Sequence, residues 1–221
     1  MTTMRHVHRR KLLDLCCGEG LVSWGYWSSG MFSEIVGVDI NPELRDRYSF
    51  DFIEGDMLAL DYEFLSQFDF IHASPPCQGY SSATPKQYRA RHLRLIAATH
   101  HMLFASGKPF VIENVPGAKK DLRPNAEMNG LYFSLPISRP RYFRVSGLAA
   151  PVRLIKPGRG MRVHGGDYVE RDKLIEAFGL EEIVSRHRLK LMTRDGIKQG
   201  VPPIFTKTLA NMLFDSKVRV G

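Results

Sequence analysis

Residues 73–81 read ASPPCQGYS, and Cys77 is one of only three cysteines in the chain. It follows an apolar run, Phe68 to Ala73, and two prolines whose rings fix the backbone. A structural cysteine needs no such mounting. A nucleophile does, because its sulfur must meet a target atom at one angle. A second candidate is the carboxyl of Glu113, in PFVIENV at 109–115. RPR at 139–141 adds two guanidinium groups, Arg139 and Arg141, just before another apolar run. A free thiol titrates near about 8.5, so a nucleophile here needs positive charge nearby, which either arginine could supply.

A further set of polar signals follows the first three apolar runs. DLCCGEG (14–20) offers Asp14, Gly18, Glu19 and Gly20; glycines allow a tight turn and a close backbone approach to a ligand. Asp39 ends EIVGVDI and is placed to accept from ribose hydroxyls. Asp56, after Gly55, offers a carboxylate to an adenine amino group. Any one of these is what a turn or a cap would show. Together they favour an adenosine-containing cofactor.

The elements that must position these groups follow from the pattern. Strands are expected at 11–15, 34–40, 50–56, 68–73 and 109–115, with a further one at 139–145. Helices are expected at 21–30, from Pro42, at 91–107, at 171–180 and at 201–214. Alternation of strands and helices implies a mostly parallel sheet covered on both faces. Ligands of such sheets sit at the carboxyl ends of the strands, where these polar residues fall. The Gly-, Pro- and Arg-rich stretch from 146 to 169 reads as loop.

Composition narrows the function. Residues 1–70 hold 6 Lys/Arg against 12 Asp/Glu, whereas residues 71–221 hold 25 against 11. No acid occurs from Phe70 to Ile112 or from Met128 to Gly166. The later segments therefore suit a polyanion. No apolar run is long enough to span a bilayer. Three cysteines, two of them adjacent, make neither a disulfide framework nor a zinc set, and no metal is expected. A cytoplasmic, reducing compartment is the expectation.

In order and spacing, these motifs resemble the DNA (cytosine-5) methyltransferase family across residues 11–145 and 197–214. DLCCGEG resembles its cofactor loop, SPPCQGYS its nucleophile loop and ENV its base-binding glutamate. RPRYF resembles its arginine motif and IKQGVPP (197–203) its C-terminal cofactor motif. The chain is similar in length to the compact bacteriophage forms. The resemblance implies a Rossmann-like, S-adenosylmethionine-dependent α/β fold with a mostly parallel sheet and a small irregular target-recognition region. It implies a catalytic domain over 1–145, a recognition region over 146–195 and a C-terminal return over 196–221. It further implies double-stranded DNA as partner, a bacterial or phage-infected host cytosol, S-adenosylhomocysteine as co-product, and a monomer.

The residue roles that follow are expectations. Cys77 adds to cytosine C6, Glu113 holds the N3 edge, Arg141 meets the base O2 and Arg139 assists. Asp14, Cys16, Gly18, Glu19, Gly20, Asp39, Ile40, Asp56, Met57, Pro75 and Gln199 hold the cofactor. The target carbon lies inside a duplex and must be flipped out. The segment 79–92 is expected to close over DNA, with Gln78, Ser81, Ser82, Lys86, Gln87, Arg89 and Arg91 on DNA. Arg153, Lys156, Arg159 and Arg162 add phosphate contacts. The chain also departs from the family pattern. Cys16 and Ile40 replace aromatics, Ile137 a glutamine, and Lys198–Gln199 a Gly-Asn pair. Cys17 and the histidines His72, His100 and His101 are assigned to packing or surface. Three alternatives remain at this level: an RNA acceptor, transfer of another one-carbon group to C5, and a non-catalytic DNA-binding relative.

Overall fold

A computed structural model describes residues 10–163, 167–186 and 192–215. The basic amino-terminal run through Arg9 lies outside the described residues, as do 164–166, 187–191 and 216–221. Its centre is an eight-stranded sheet. The strands are β1 (Arg10–Leu15), β2 (Phe32–Asp39), β3 (Asp51–Glu54), β4 (Phe70–Ala73), β5 (Phe110–Asn114), β6 (Ala126–Met128), β7 (Arg141–Val145) and β8 (Val152–Leu154), in the order β3-β2-β1-β4-β5-β7-β6-β8. The first five are mutually parallel. β7 runs antiparallel to both β5 and β6, and β8 returns parallel to β6. The mostly parallel, doubly covered sheet is what the alternation implied, and the fold is the Rossmann-like α/β fold that the resemblance implied.

The central strands are apolar on both faces because both are covered. On one face Leu13, Leu15, Ile71 and Ile112 pack with Leu65, Met102 and Leu103, under α2 (Tyr62–Ser66) and α4 (Ile96–Ala105). On the other, Leu12, Phe70, Val111 and Phe143 pack with Tyr26 of α1 (Leu21–Ser28) and Phe205 and Leu209 of α9 (Pro203–Phe214). α1 and α9 cross closely at Gly25, where a Cβ would collide with Thr206 Oγ1 and the Pro203 carbonyl. The carboxyl-terminal helix is thereby locked onto the first one.

Several elements differ from the sequence expectation, and the helix expected from Pro42 is a single 3-10 turn, Pro42–Leu44. The helix expected at 91–107 begins only at Ile96. Arg94 pairs with Asp121 at 3.1 Å and lies over the Tyr80 ring at 4.7 Å, so 91–95 belong to the loop after Cys77. β6 and β8, three residues each, are too short for alternation to reveal. Within 146–195, β8 joins the main sheet, and α6 (Arg171–Phe178) buries Leu174, Ile175 and Phe178 against Trp24 and Ile137. The remaining helices are short: α3 (Lys86–Arg89), α5 (Lys119–Leu122), α7 (Glu181–Arg186) and α8 (Arg194–Gln199). Among the described residues, no helix is long and apolar enough to cross a membrane.

Candidate active site

The carboxyl ends of β1, β2, β4 and β5 deliver the expected groups to one edge of the sheet. Ser74 N donates to the Leu15 carbonyl at 3.0 Å, which ties the start of the Pro75–Cys77 segment to the end of β1. Asn114 Nδ2 donates to the Pro75 carbonyl at 2.9 Å, bracing that segment from β5. The Cys77 carbonyl then accepts from Tyr80 N and Ser81 N, each at 2.9 Å, so the chain turns sharply after the thiol. Gly117 packs flat on the Tyr80 carbonyl, where a Cβ could not fit. The two prolines and the β5 asparagine thus hold Cys77 from both sides.

Arg141 enters the same edge because β7 is antiparallel: its first residue lies where parallel strands end. Arg141 Nε is 2.8 Å from Glu113 Oε1, and both side chains are about nine-tenths buried. The approach is an ion pair without a directed hydrogen bond to that oxygen. Burial lifts the Glu113 carboxyl above its ordinary value, against the charges of Arg141 and Arg139 and a hydrogen bond from Ser74. Burial also pushes the half-buried Cys77 thiol up, and the Glu113 charge adds to this; Arg141 and Arg139 oppose it. The positive charge expected beside the thiol is present, but burial outweighs it.

Arg139 differs from its neighbour. Its Nε donates to the Gly200 carbonyl at 2.9 Å and its Nη2 to the Lys198 carbonyl. Its guanidinium lies 5.1 Å from the Phe178 ring centre. It acts on Cys77 and Glu113 through charge while its donors hold α8.

Behind Glu113 lies a chain of polar groups built around His72, which the sequence assigned only to packing or surface. The Tyr26 hydroxyl is 2.9 Å from His72 Nδ1, and His72 Nε2 is 3.1 Å from Ser74 Oγ. Ser74 in turn bonds the Glu113 carboxyl. Burial lowers His72 to about 3, so the ring is neutral, with one nitrogen donating and one accepting. The chain closes when Tyr26 donates to Nδ1, Nε2 donates to Ser74 and Ser74 donates to Glu113. The signal in the sequence was the two-residue spacing of His72 and Ser74, which puts both on the face of β4 that Tyr26 covers.

The glycine loop presents the adenosine-type set. Cys16 and Gly18 adopt left-handed φ of 56° and 52°, and Gly20 one of 90°. Gly18 opens onto free space where a Cβ would stand, and its N donates to Asp39 Oδ2 at 3.1 Å. Ile40 is exposed beside Asp39 and offers an apolar face for a ring. Asp56 is also exposed, although its Oδ1 caps the next turn through Leu58 N at 2.9 Å. Asp14 lies buried beneath the loop, accepting from Ser23 Oγ at 2.6 Å, with Oδ1 left without a hydrogen bond. These residues fit an adenosine cofactor such as S-adenosylmethionine.

The other residues expected at the cofactor differ in exposure and in their partners within the chain. Both Glu19 oxygens accept from Thr193, at 2.6 Å from its N and 2.7 Å from its Oγ1. Glu19 is a bridge within the chain, because its side chain is buried against α8. Met57 is buried with its sulfur 3.5 Å from Cys16 Sγ, so both side chains pack the loop from beneath. Pro75 is buried as well, and Gln199 is exposed at the end of α8.

The expected nucleic-acid contacts divide in the same way. Gln78, Ser82, Lys86, Gln87 and Arg91 are exposed, as are Lys156, Arg159 and Arg162. Arg89, by contrast, folds back onto its own loop, bonding the Thr84 and Ser82 carbonyls. Ser81 Oγ accepts from Ala83 N at 3.1 Å. Arg153 Nε is bonded to Glu127 Oε2 at 3.1 Å, which offsets its charge.

The family model for C-5 cytosine-specific DNA methylases matches residues 10–128. Among solved structures, the chain is similar to the Entamoeba histolytica methyltransferase EhMeth. The TM-score is 0.59 at 13% identity, covering 94% of this chain and 98% of that one. It is also similar to the S. pombe Dnmt2 methyltransferase, with a TM-score of 0.46 at 19% identity over 69% of this chain and 52% of that one. At such identities the likeness to EhMeth is one of fold. No curated protein matches the chain. The family match runs over more than half of the sequence and takes in the glycine loop, Cys77 and Glu113, and the chain belongs to the C-5 cytosine-specific DNA methylase family.

Proposed function

We propose that the chain methylates C5 of cytosine in double-stranded DNA through a covalent bond between Cys77 and C6. The observation that carries this reading is the buried Glu113–Arg141 pair at 2.8 Å, with Cys77 inside the field of both groups. S-adenosylmethionine, when bound, supplies an electrophilic methyl group. Gly18, Asp39, Ile40 and Asp56 are the residues that would hold it.

Cytosine C5 is a poor nucleophile until a thiolate adds at C6. Glu113 suits the ring that must accept this electron density. One Glu113 oxygen can share a proton with N3 as the adduct forms, while the other accepts from the exocyclic amine. Thymine presents a donor at N3 and a carbonyl at C4, so the same group rejects it. Arg141 faces the base O2 and offsets the charge that develops. Loss of the C5 proton and elimination from C6 then restore the thiol.

The DNA acceptor is supported by the family description and by the basic later segments, whose exposed Lys156, Arg159 and Arg162 suit phosphates. The test is transfer of a tritiated methyl group onto duplex DNA, RNA and free nucleotides, followed by nucleoside mass spectrometry. 5-Methylcytosine in duplex DNA is expected. Label confined to RNA, or a different C5 substituent, would overturn the acceptor or the transferred group respectively.

A further inference from the structure

α8 is gripped at both ends by residues from the two halves of the site. At its start, Glu19 accepts from both donors of Thr193, and Thr193 Oγ1 accepts from Gly196 N at 2.9 Å. A Cβ at Gly196 would collide with the Glu19 carboxylate, so the first turn of α8 is shaped around that side chain. At its end, Arg139 takes the carbonyls of Lys198 and Gly200. Ile197 anchors the middle in the core. Six helical residues span only about 9 Å, too short a segment to bend appreciably between two fixed ends.

We infer that α8 is a strut: Glu19 and Arg139 hold its two ends, and the seating of the glycine loop thereby sets where the Arg139 charge stands beside Cys77. Glu19 and Arg139 are positioning residues. Glu19 belongs to the loop between Gly18 and Gly20, and Arg139 precedes the Arg141 that pairs with Glu113. The Arg139 fork is matched to two carbonyls, which a lysine cannot reproduce. Loosening either grip leaves the guanidinium without its fixed direction, and its influence on the thiol weakens.

The inference rests on reading Cys77 as the reactive thiol, but its test needs neither nucleic acid nor cofactor. The rate of Cys77 alkylation by iodoacetamide is followed against pH by peptide mass spectrometry. The groups facing the thiol are Glu113 from β5, Arg141 from β7 and Arg139 from the segment before it. Glu19→Gln and Thr193→Val are expected to move the Cys77 profile upward by about half a pH unit, a roughly threefold slower reaction at fixed pH. Arg139→Lys is expected to do the same, and Glu19→Gln combined with Arg139→Lys to add little more. Continued protection of the buried Cys17 reports an intact fold in each variant. An unchanged Cys77 profile in folded Glu19→Gln and Thr193→Val would overturn the strut, and so would fully additive effects with Arg139→Lys. Failure of the proposed function would show instead as no covalent adduct with 5-fluorocytosine DNA, in a protein whose alkylation profile still responds to Glu19.

Discussion

Arg141 Nε lies 2.8 Å from Glu113 Oε1 because β7 runs antiparallel to β5 and begins where β5 ends. Removing either partner strands the other in a buried site, which typically costs about 3–5 kcal/mol. Glu113→Gln keeps shape but cannot share a proton with N3. It is expected to lower turnover by about a hundredfold or more with binding largely retained. Arg141→Ala is expected to lower turnover similarly and to lose thermal stability. Single-turnover methylation and a thermal melt check both; near-normal turnover in either variant would move its role to another residue.

The three cysteines are expected to react in a fixed order. Burial, with Asp39, Asp14 and Asp56 adding, pushes Cys16 up to about 12, and burial with the Asp14 charge pushes Cys17 higher still. Cys77 is the one with two arginines opposing its shift. DNA bearing 5-fluorocytosine should trap the wild type covalently, since fluorine cannot leave C5 as a proton does. Cys77→Ser should abolish the adduct, while Cys16→Ser and Cys17→Ser keep it. An adduct that persists in Cys77→Ser would remove the thiol from the mechanism.

Asp14 should make stability fall with pH. Burial lifts its carboxyl to about 7 despite the Ser23 hydrogen bond, and the Asp39 charge adds to the shift. In the unfolded chain the same group titrates near about 3.9. The folded state therefore binds this proton more tightly. Its contribution is fully present below about pH 4 and is lost as pH rises through about 7. Asp14→Asn removes the effect, so its stability relative to wild type should improve between about pH 4.5 and pH 7.5. Chemical denaturation at the two values measures this; a difference independent of pH would contradict it.

The His72 chain should matter for Glu113 more than for the fold. His72→Phe leaves the buried Tyr26 hydroxyl without its partner, at about 1–3 kcal/mol, and takes from Ser74 the neighbour that orients it towards Glu113. Turnover is expected to fall and its pH profile to move, because the bond from Ser74 to Glu113 loses its support. His72→Gln, which can both donate and accept, should recover part of the rate. Equal profiles for both variants would make His72 a packing residue only.

Salt dependence should separate the basic residues of the later segment. Replacing Lys156, Arg159 and Arg162 by Ala is expected to weaken all duplexes alike and to flatten the log–log salt slope by about 0.9 for each phosphate no longer neutralised. Arg153→Ala should change it less, because Glu127 already holds that guanidinium at 3.1 Å. Fluorescence anisotropy across a salt series distinguishes the two; a strong sequence-specific loss would indicate base reading in this region.

Sequence alone placed the strand ends. Apolar runs closed by Pro-Pro-Cys, Glu-Asn and Gly-x-Gly are local signals, and parallel strands bring their carboxyl ends to one edge whatever the details of packing. Cys77, Glu113 and the glycine loop were legible for that reason. Tertiary structure decided everything that depends on which distant groups meet. Glu19 reads as a loop ligand in sequence, yet Thr193, far along the chain, takes both its oxygens. Arg139 and Arg141 are two residues apart and look equivalent. Arg141 starts an antiparallel strand facing Glu113, whereas Arg139 reaches the carbonyls that end α8. His72 looked like filler because its partners, Tyr26 and Ser74, lie on different elements. The protonation of the thiol was also beyond the sequence: the arginines were visible there, but the burial that outweighs them exists only in the folded chain.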